Sequence, residues 1–532
     1  HLGQVSVRQA ANGPVVATAA DVSLEMAVAP LLHGAFRFVE MRIAQPRVTL
    51  AGDGAGGVIL PSLKVAGSPD VAFERISVSD GAVVVTRPGA AALTFDQLTF
   101  DADSPSLDGP YKGQGWVRAF GRVLPFRFGT GVREAAGLRS KLVVEQAEPT
   151  VRAELDGLVT LSPGKAGGQV PGFEGSLTLA GTATPSGEAV SWRLNGPLRL
   201  GDGALQLGPA ELRLGAEGRA ITANGSASLM LGQVPQVFVR LTAAQADLDL
   251  FASEKRDPAA GMVLLRGMIT ALSAQGDAVL PGMMFSFEGS VPALIVGGEA
   301  IGEARVRLER PADRASVDVS LDAVLPGRAE IKASGVVQTG AALRFNGQGA
   351  LNLRDPQRFG QWLGRGWPDL ASRLNAIAFR SLDVSGLVDA SPAAVSAQEL
   401  KITADRSALT GSVMFTQPAS TARGKLTADL RAQALDLEGL PDIGTPLRSS
   451  TGLDLDLSLD ARAVRIARFG AGMVDSGRIR LRLSRSGDEL TLNDLTIDNL
   501  GGANLSARGE SRQGAARVEA QHTAYRMVEL AA

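Results

Sequence analysis

Gly52, Gly54 and Gly57 stand in the spacing G-x-G-x-x-G inside "AGDGAGGVILP", and that spacing could cradle a pyrophosphate. A dinucleotide site needs a helix to open directly after the glycines, so that its first amides meet the phosphates. Here Val58, Ile59, Leu60 and Pro61 follow instead, an apolar run that reads as a short strand. The glycines are therefore expected to form a hairpin tip. "DLDLSLD" at 454–460 offers carboxylates at alternate positions, as a calcium loop does, but such a loop wants Gly at its sixth position and Glu at its twelfth. Those places hold Leu459 and Arg465, so the run reads as a solvated strand face, with Asp454 and Asp456 able to pair with the arginines at 478–482 if the two strands are neighbours. "ADLDL" at 246–250 takes the same reading.

Other chemistry has little to build on. The three histidines are His1, His33 and His522, and there is no cysteine, which excludes disulfides and thiolate catalysis and leaves histidine metal sites almost no ligands. No nucleophile elbow, Walker A loop or H-E-x-x-H motif occurs. The 55 acidic residues could always supply a carboxylate pair after folding, so their presence indicates nothing. The chain is read as a non-enzyme, with no cofactor and no catalytic or metal-ligating residue. A formal charge of −2 with interspersed signs lacks the basic stripe that nucleic-acid binding requires.

Composition points elsewhere. Apolar residues make up 45% of the 532, and 63 glycines add about 12%, more apolar surface than a soluble globule needs. Charged or turn residues interrupt every apolar run well short of the ~18–20 that a bilayer helix requires. The dominant signal is period-two alternation, which sends successive side chains to opposite faces of a sheet. "LDLDLSLD" at 453–460 sets Leu453, Leu455 and Leu457 against Asp454, Asp456 and Ser458. "RIRLRLSR" at 478–485 sets Ile479, Leu481 and Leu483 against Arg478, Arg480 and Arg482. Asp80-Gly81 in "ISVSDGAVVV" and Gly487-Asp488 in "SRSGDELTL" carry hairpin-turn chemistry. About 30 strands of average length are expected, in a mainly β fold: a long curled antiparallel sheet, or repeating β-groove, with a few short helices.

One segment departs from alternation. In 355–374, "DPQRFGQWLGRGWPDLASRL", Asp355 can cap, Pro356 suits the first helical position, and Phe359, Trp362 and Leu363 share a face. This predicts a short amphipathic helix that covers a sheet face or docks on a membrane or partner. There is also internal similarity: "ELRLGAEGRAITANGSASLML" at 211–231 is similar to "ELKITADRSALTGSVMF" at 399–415, and a weaker third copy begins at 494, which favours a stacked array. Two regions are expected, 1–251 and 252–532.

The stretch "PLLHGAFRFVEMRIAQPRVTLAGDGAGGVILPSL" at 30–63, together with "FERISVSDGAVVVTR" at 73–87, "FDQLTFDADSPSLDGPYKGQG" at 95–115 and the tails at 246–250 and 434–437, resembles the AsmA-like family (AsmA, TamB and YhdP), which is similar to bridge-like lipid transfer proteins. The resemblance implies a hydrophobic β-groove in the periplasm of a Gram-negative cell, carrying phospholipids between inner and outer membrane. The inner-membrane anchor usual in this family is not among these residues, and attachment is expected of the native protein. Lipid acyl chains are the implied partner, with outer-membrane or periplasmic proteins as further ones. Ile76, Val78, Leu453, Leu455, Leu457, Ile479 and Leu481 are the candidate groove residues, each with a closed β core as the alternative. The alternative function is a non-catalytic periplasmic scaffold that offers a sheet edge to outer-membrane proteins. An adhesive or carbohydrate-active array would want aromatic platforms, and two tyrosines and four tryptophans disfavour it.

Overall fold

The computed structural model describes residues 1–8, 13–28, 37–52, 57–60, 72–87, 90–105, 108–119, 121–164, 168–184, 189–201, 203–274, 283–338, 343–368, 371, 379–418, 423–436, 453–468, 472–500, 503–512 and 515–524. The fold is mainly β, with 31 strands in a mixed sheet and three short helices among the described residues. Contacts divide the chain into two compact units, the first of residues 1–244, 280–288 and 311–313, the second of 245–279, 289–310 and 314–532.

Most neighbouring strands follow each other in sequence and run antiparallel, because short turns such as Gly487-Asp488 join them: Ser486 faces Glu489 across that turn, and Gly487 sits at φ 62. Parallel pairing enters at a few places. The strand Ala72–Arg87 runs parallel to Arg37–Ala44 along its first half and to Arg47–Gly52 along its second. Ala246–Asp247 pairs parallel with Leu294 and Ile295, and Gly424–Asp436 with Leu453–Arg468. Both tails read as repeats thus end where the chain crosses over before its next strand.

Three expectations are corrected. Asp80-Gly81 makes no hairpin. Ala72–Arg87 continues through it with Asp80 at φ 50 and a register shift between Val78 and Gly81, because the positive φ that suits a tight turn equally suits a β-bulge. The bulge lies where the strand changes parallel partner, and a Cβ on Gly81 would lie 3.1 Å from Pro46. "ADLDL" is no solvated strand: after two strand residues the chain turns into helix α1, Leu248–Ala252, capped by Asp247, whose Oδ1 accepts from the Leu250 N–H at 2.9 Å. The third concerns the acidic run at 454–460, where the strands 453–468 and 472–486 are indeed neighbours, but Asp460 takes the arginine. Arg478 donates to Asp460 through Nε and Nη2, while Asp454 pairs with Arg423 at 3.3 Å and Asp456 with Lys425 at 3.9 Å. The register decides this, since Asp460 faces Arg480 directly and Asp454 lies beyond the arginine run.

The glycine cluster behaves as a hairpin: Val58–Ile59 pairs back on Ala51 and Gly52, and Leu60 bridges to Gln169. Gly54 lies outside the described residues. The internal repeats share a bulged hairpin. Register shifts fall between Leu207 and Ala210 and between Ala397 and Leu400, with Ala210 opposite Gly225 and Leu400 opposite Gly411. The third copy repeats the shift between Leu492 and Leu495.

The helices gather on one turn of the second unit. Helix α2, Pro258–Ala274, was not foreseen, although Asp257-Pro258 opens it as Asp355-Pro356 opens helix α3, Pro356–Gly364. In α3, Asp355 accepts from the Arg358 N–H at 3.1 Å, and Phe359, Trp362 and Leu363 are buried as the spacing predicts. They pack on strand-end turns. Trp362 Nε1 donates to Val296 O at 2.9 Å, Arg365 donates to Gly297 O, and Asp355 N donates to Gly327 O at 2.9 Å. Gly297 and Gly298, at φ 65 and 74, form the turn of the hairpin Met284–Val296 and Glu299–Arg310, a conformation only glycine takes twice in succession without strain.

Asp249 of α1 closes this cluster. It is fully buried, its Oδ1 accepting from the Gly297 N–H at 2.7 Å and its Oδ2 from the Gly298 N–H at 2.6 Å. Gly261 of α2 lies so close that a Cβ there would meet Oδ1 at 1.9 Å. Charge-assisted hydrogen bonds of this kind contribute roughly 1.5–3 kcal/mol each. Asp249→Ala should therefore lower local stability by about 3 kcal/mol or more, read as faster amide exchange at Gly297 and Gly298 by roughly 100-fold, with far-UV circular dichroism unchanged. Unaltered exchange would show that the turn holds without the carboxylate.

Candidate functional site

A strand exposes alternate side chains on each face, and directly opposed residues of paired strands share a face, so the registers trace each face across a unit. In the first unit one line runs from Ile43 through Val78, Phe100, Gly115, Phe126, Val144, Ala153, Leu179, Leu194 and Leu212 to Ala223, one residue from each of eleven strands. A parallel line holds Met41, Ile76, Ala102, Gly113, Phe128, Leu142, Leu155 and Leu177. Neither line contains a polar side chain. Most of these residues are only half-buried, and Val78 and Ala223 are among the few fully buried.

Glycines on this face have a packing role. Phe100, Phe126 and Phe128 contact one another at centroid distances of 6.1–6.4 Å, with Gly115 paired between Phe100 and Phe126 and Gly113 opposite Phe128. A Cβ on Gly113 would meet the Phe128 ring at 2.5 Å, and one on Gly115 the Phe100 Cβ at 2.5 Å. Glycine leaves room here for the Phe128 ring and for the Phe100 stem, which accounts for part of the glycine surplus. A local core forms where Leu198, Leu207 and Ala210 bury against Leu155, Phe173 and Leu177.

The second unit repeats the arrangement over thirteen strands. Leu308, Val319, Gly335, Gly347, Val388, Ala397 and Val413 lead through Ala428 to Leu457, Leu483, Leu492, Gly509 and Val518. Leu453, Leu455, Leu457, Ile479 and Leu481 all lie on this face, as Ile76 and Val78 lie on that of the first unit. They divide by environment. Ile479 is buried in a cluster with Ala432, Leu435, Ala461 and Val464, whereas Leu453, Leu455, Leu457 and Leu481 stay half-buried. Leu455 also faces Arg485, a buried charged side chain on the apolar side that donates to Gly487 O at 3.1 Å.

The opposite faces are charged and largely self-neutralising. In the first unit Arg127 and Arg152 meet Glu145 at 3.2 and 2.5 Å, and Lys141 meets Glu154 at 2.5 Å. In the second, Arg344 Nε donates to Asp389 Oδ1 and Arg478 Nε to Asp460 Oδ1, each at 2.8 Å. Lys141, Arg344 and Arg478 hold the carboxyls of Glu154, Asp389 and Asp460 below the usual range by hydrogen bonding. Being depressed, these pKa values favour the fold above the unfolded carboxylate pKa, and that contribution is lost as pH falls through them. The described hollows also lie on charged faces, the larger of those in the second unit having a volume of about 500 Å³.

Among the described residues no three His, Asp or Glu side chains assemble as a metal-binding group, and no helix is long and apolar enough to cross a membrane. What the arrangement can do chemically is bind apolar matter on one face while staying wetted on the other. Comparison with known proteins finds no matching family model, no matching curated protein and no matching solved structure.

Proposed function

We propose that this chain binds lipid acyl chains on its apolar sheet faces and takes part in phospholipid transport between inner and outer membrane, as a periplasmic, inner-membrane-associated protein of the AsmA-like kind. The observation that carries this reading is the unbroken, half-exposed apolar line in each unit. Each CH₂ moved from water onto such a surface gains ~0.8 kcal/mol, and a line of apolar side chains and Gly running from strand to strand holds a chain without fixing it at one position. No residue has to react.

The test is lipid extraction from protein purified without detergent, followed by mass spectrometry. Leu457→Asp is the informative variant, because Leu457 is half-buried between Ala428 and Leu483, whereas a carboxylate at Leu455 would gain Arg485 as a partner. Wild-type protein should carry phospholipid, and Leu457→Asp should carry several-fold less with its circular dichroism intact. Lipid-free wild-type protein would sink the proposal.

A second reading, the scaffold for outer-membrane proteins, has one observation in its favour. The strand Ala515–Ala524 pairs along one side only among the described residues, and an open edge can accept another strand. Proline substitutions along 516–522 should abolish partner binding under this reading and leave lipid content unchanged, while Leu457→Asp should do the reverse.

A further inference from the structure

We propose that Arg310 and Arg485 of the second unit each hold the phosphate of a lipid head, a site that deepens the acyl-binding reading and rests on it. Among the described side chains these are the two buried basic ones, and both lie on the apolar side of the sheet. Arg310 ends the strand Glu299–Arg310 two residues after Leu308, which faces Val319. Arg485 stands two residues after Leu483, between Leu455 and Leu490. A guanidinium gives up hydration in such a place, and an apolar side chain of similar volume would serve folding as well or better. The charge therefore points to a ligand.

Strand direction places the two arginines on one rim. From Glu299–Arg310 to Gly424–Asp436 each strand runs antiparallel to the one before, Leu453–Arg468 is parallel to its neighbour, and Gly472–Ser486 turns back again. An even number of reversals leaves the first and last of these strands pointing the same way, and each arginine lies at or next to the C-terminal end of its strand. The opposite rim is closed. There α3 packs on the turns at Gly297 and Gly327, with Ala329 and Leu353 fully buried, and farther along the sheet Ala461 and Val464 are fully buried as well.

A phospholipid laid along the strands fits this asymmetry. From Arg485 past Leu483 and Leu481 to Ile479 the strand covers six residues, roughly 20 Å at ~3.3 Å each, enough for the ~15 Å that acyl chains span in one leaflet of a ~30 Å hydrocarbon core. The chains then point to the closed rim and the head lies at the arginine. Arg485 Nε donates to Gly487 O at 3.1 Å, which holds the guanidinium at the turn. A planar guanidinium suits bidentate recognition of a phosphate in a way that a lysine does not. Arg310 and Arg485 are nine strand spacings apart in strand order, ~43 Å at ~4.8 Å each, so they make two separate head sites along one rim.

The experiment is calorimetric titration of the delipidated full chain with dioctanoyl phosphatidate and with dioctanoylglycerol, which has the same chains and no phosphate, both below their micelle concentrations, and with inorganic phosphate. Phosphatidate should bind at least tenfold more tightly than dioctanoylglycerol, and inorganic phosphate should give no binding at the same concentrations. In the double variant Arg310→Gln, Arg485→Gln, phosphatidate should fall to within about twofold of dioctanoylglycerol. Should the double variant fail to fold, Arg310→Gln alone should halve the number of tightly bound phosphatidates. Equal binding of the two lipids by the wild type, a preference that the variants keep in full, or inorganic phosphate binding as tightly as phosphatidate would each overturn the head sites and leave acyl binding standing. Binding of neither lipid would overturn both.

Discussion

A strand has two faces, and every other feature of this protein depends on keeping one of them apolar from strand to strand. The requirement is strict, because a slip of one residue would carry a whole strand's apolar set to the charged side. The chain meets it in two ways. Between Lys141 and Ala183 the registers run without a break, so plain alternation suffices. Elsewhere bulges reset the parity. Ala397 and Leu400 are three apart in sequence yet face Val413 and Gly411, which are two apart, so both stay on the apolar side. Leu207 with Ala210 and Leu492 with Leu495 do the same. The repeated phrase apolar-x-x-apolar is the sequence trace of that bulge.

This explains which parts of the fold could be read from the sequence. Alternation at 453–460 and 478–485 located strands and faces correctly because period two is a local property that no distant contact overrides there. The cap and apolar spacing of 355–364 were equally local. Asp80-Gly81 misled because its backbone preference is shared by turn and bulge, and the choice between them belongs to Arg37–Ala44 and Arg47–Gly52, which are distant in sequence. Helix α2 was missed although Asp257-Pro258 repeats the signal of Asp355-Pro356. Its apolar run, Met262 to Leu265, hides the helical period, with Val263 62% exposed between buried Met262 and Leu264. Asp249 could not have been found from alternation at all. Its burial is decided by Gly297 and Gly298, nearly fifty residues away.

The Asp249 cluster also shows how one of the parallel pairings, Ala246–Asp247 with Leu294 and Ile295, is accommodated. Consecutive antiparallel strands need only a turn, but a strand that returns parallel needs a connection long enough to cross over. Between Ala246–Asp247 and the parallel residues Leu294 and Ile295 the chain inserts α1 and α2, and these helices bring polar backbone ends into the protein. A buried carboxylate satisfying two turn amides, with Trp362 and Arg365 satisfying the turn's carbonyls, leaves that crossing few unpaired groups. Such polar networks specify one arrangement more than they add stability.

The apolar faces remain the feature that stability alone does not explain. Eleven residues in one line and eight in the other, each taking ~4.8 by ~7 Å, give a footprint of roughly 640 Å² for the two lines traced in the first unit, at the top of the ~300–600 Å² that a soluble monomer usually leaves in one patch. Folding would be served as well by pairing two such faces into a closed core with Leu and Ile throughout. Instead the lines carry small residues at Gly115, Ala153, Gly335 and Gly347 and stay half-exposed along most of their length. Small residues at those points cost burial and favour a smooth surface, which suits the acyl-chain binding proposed above.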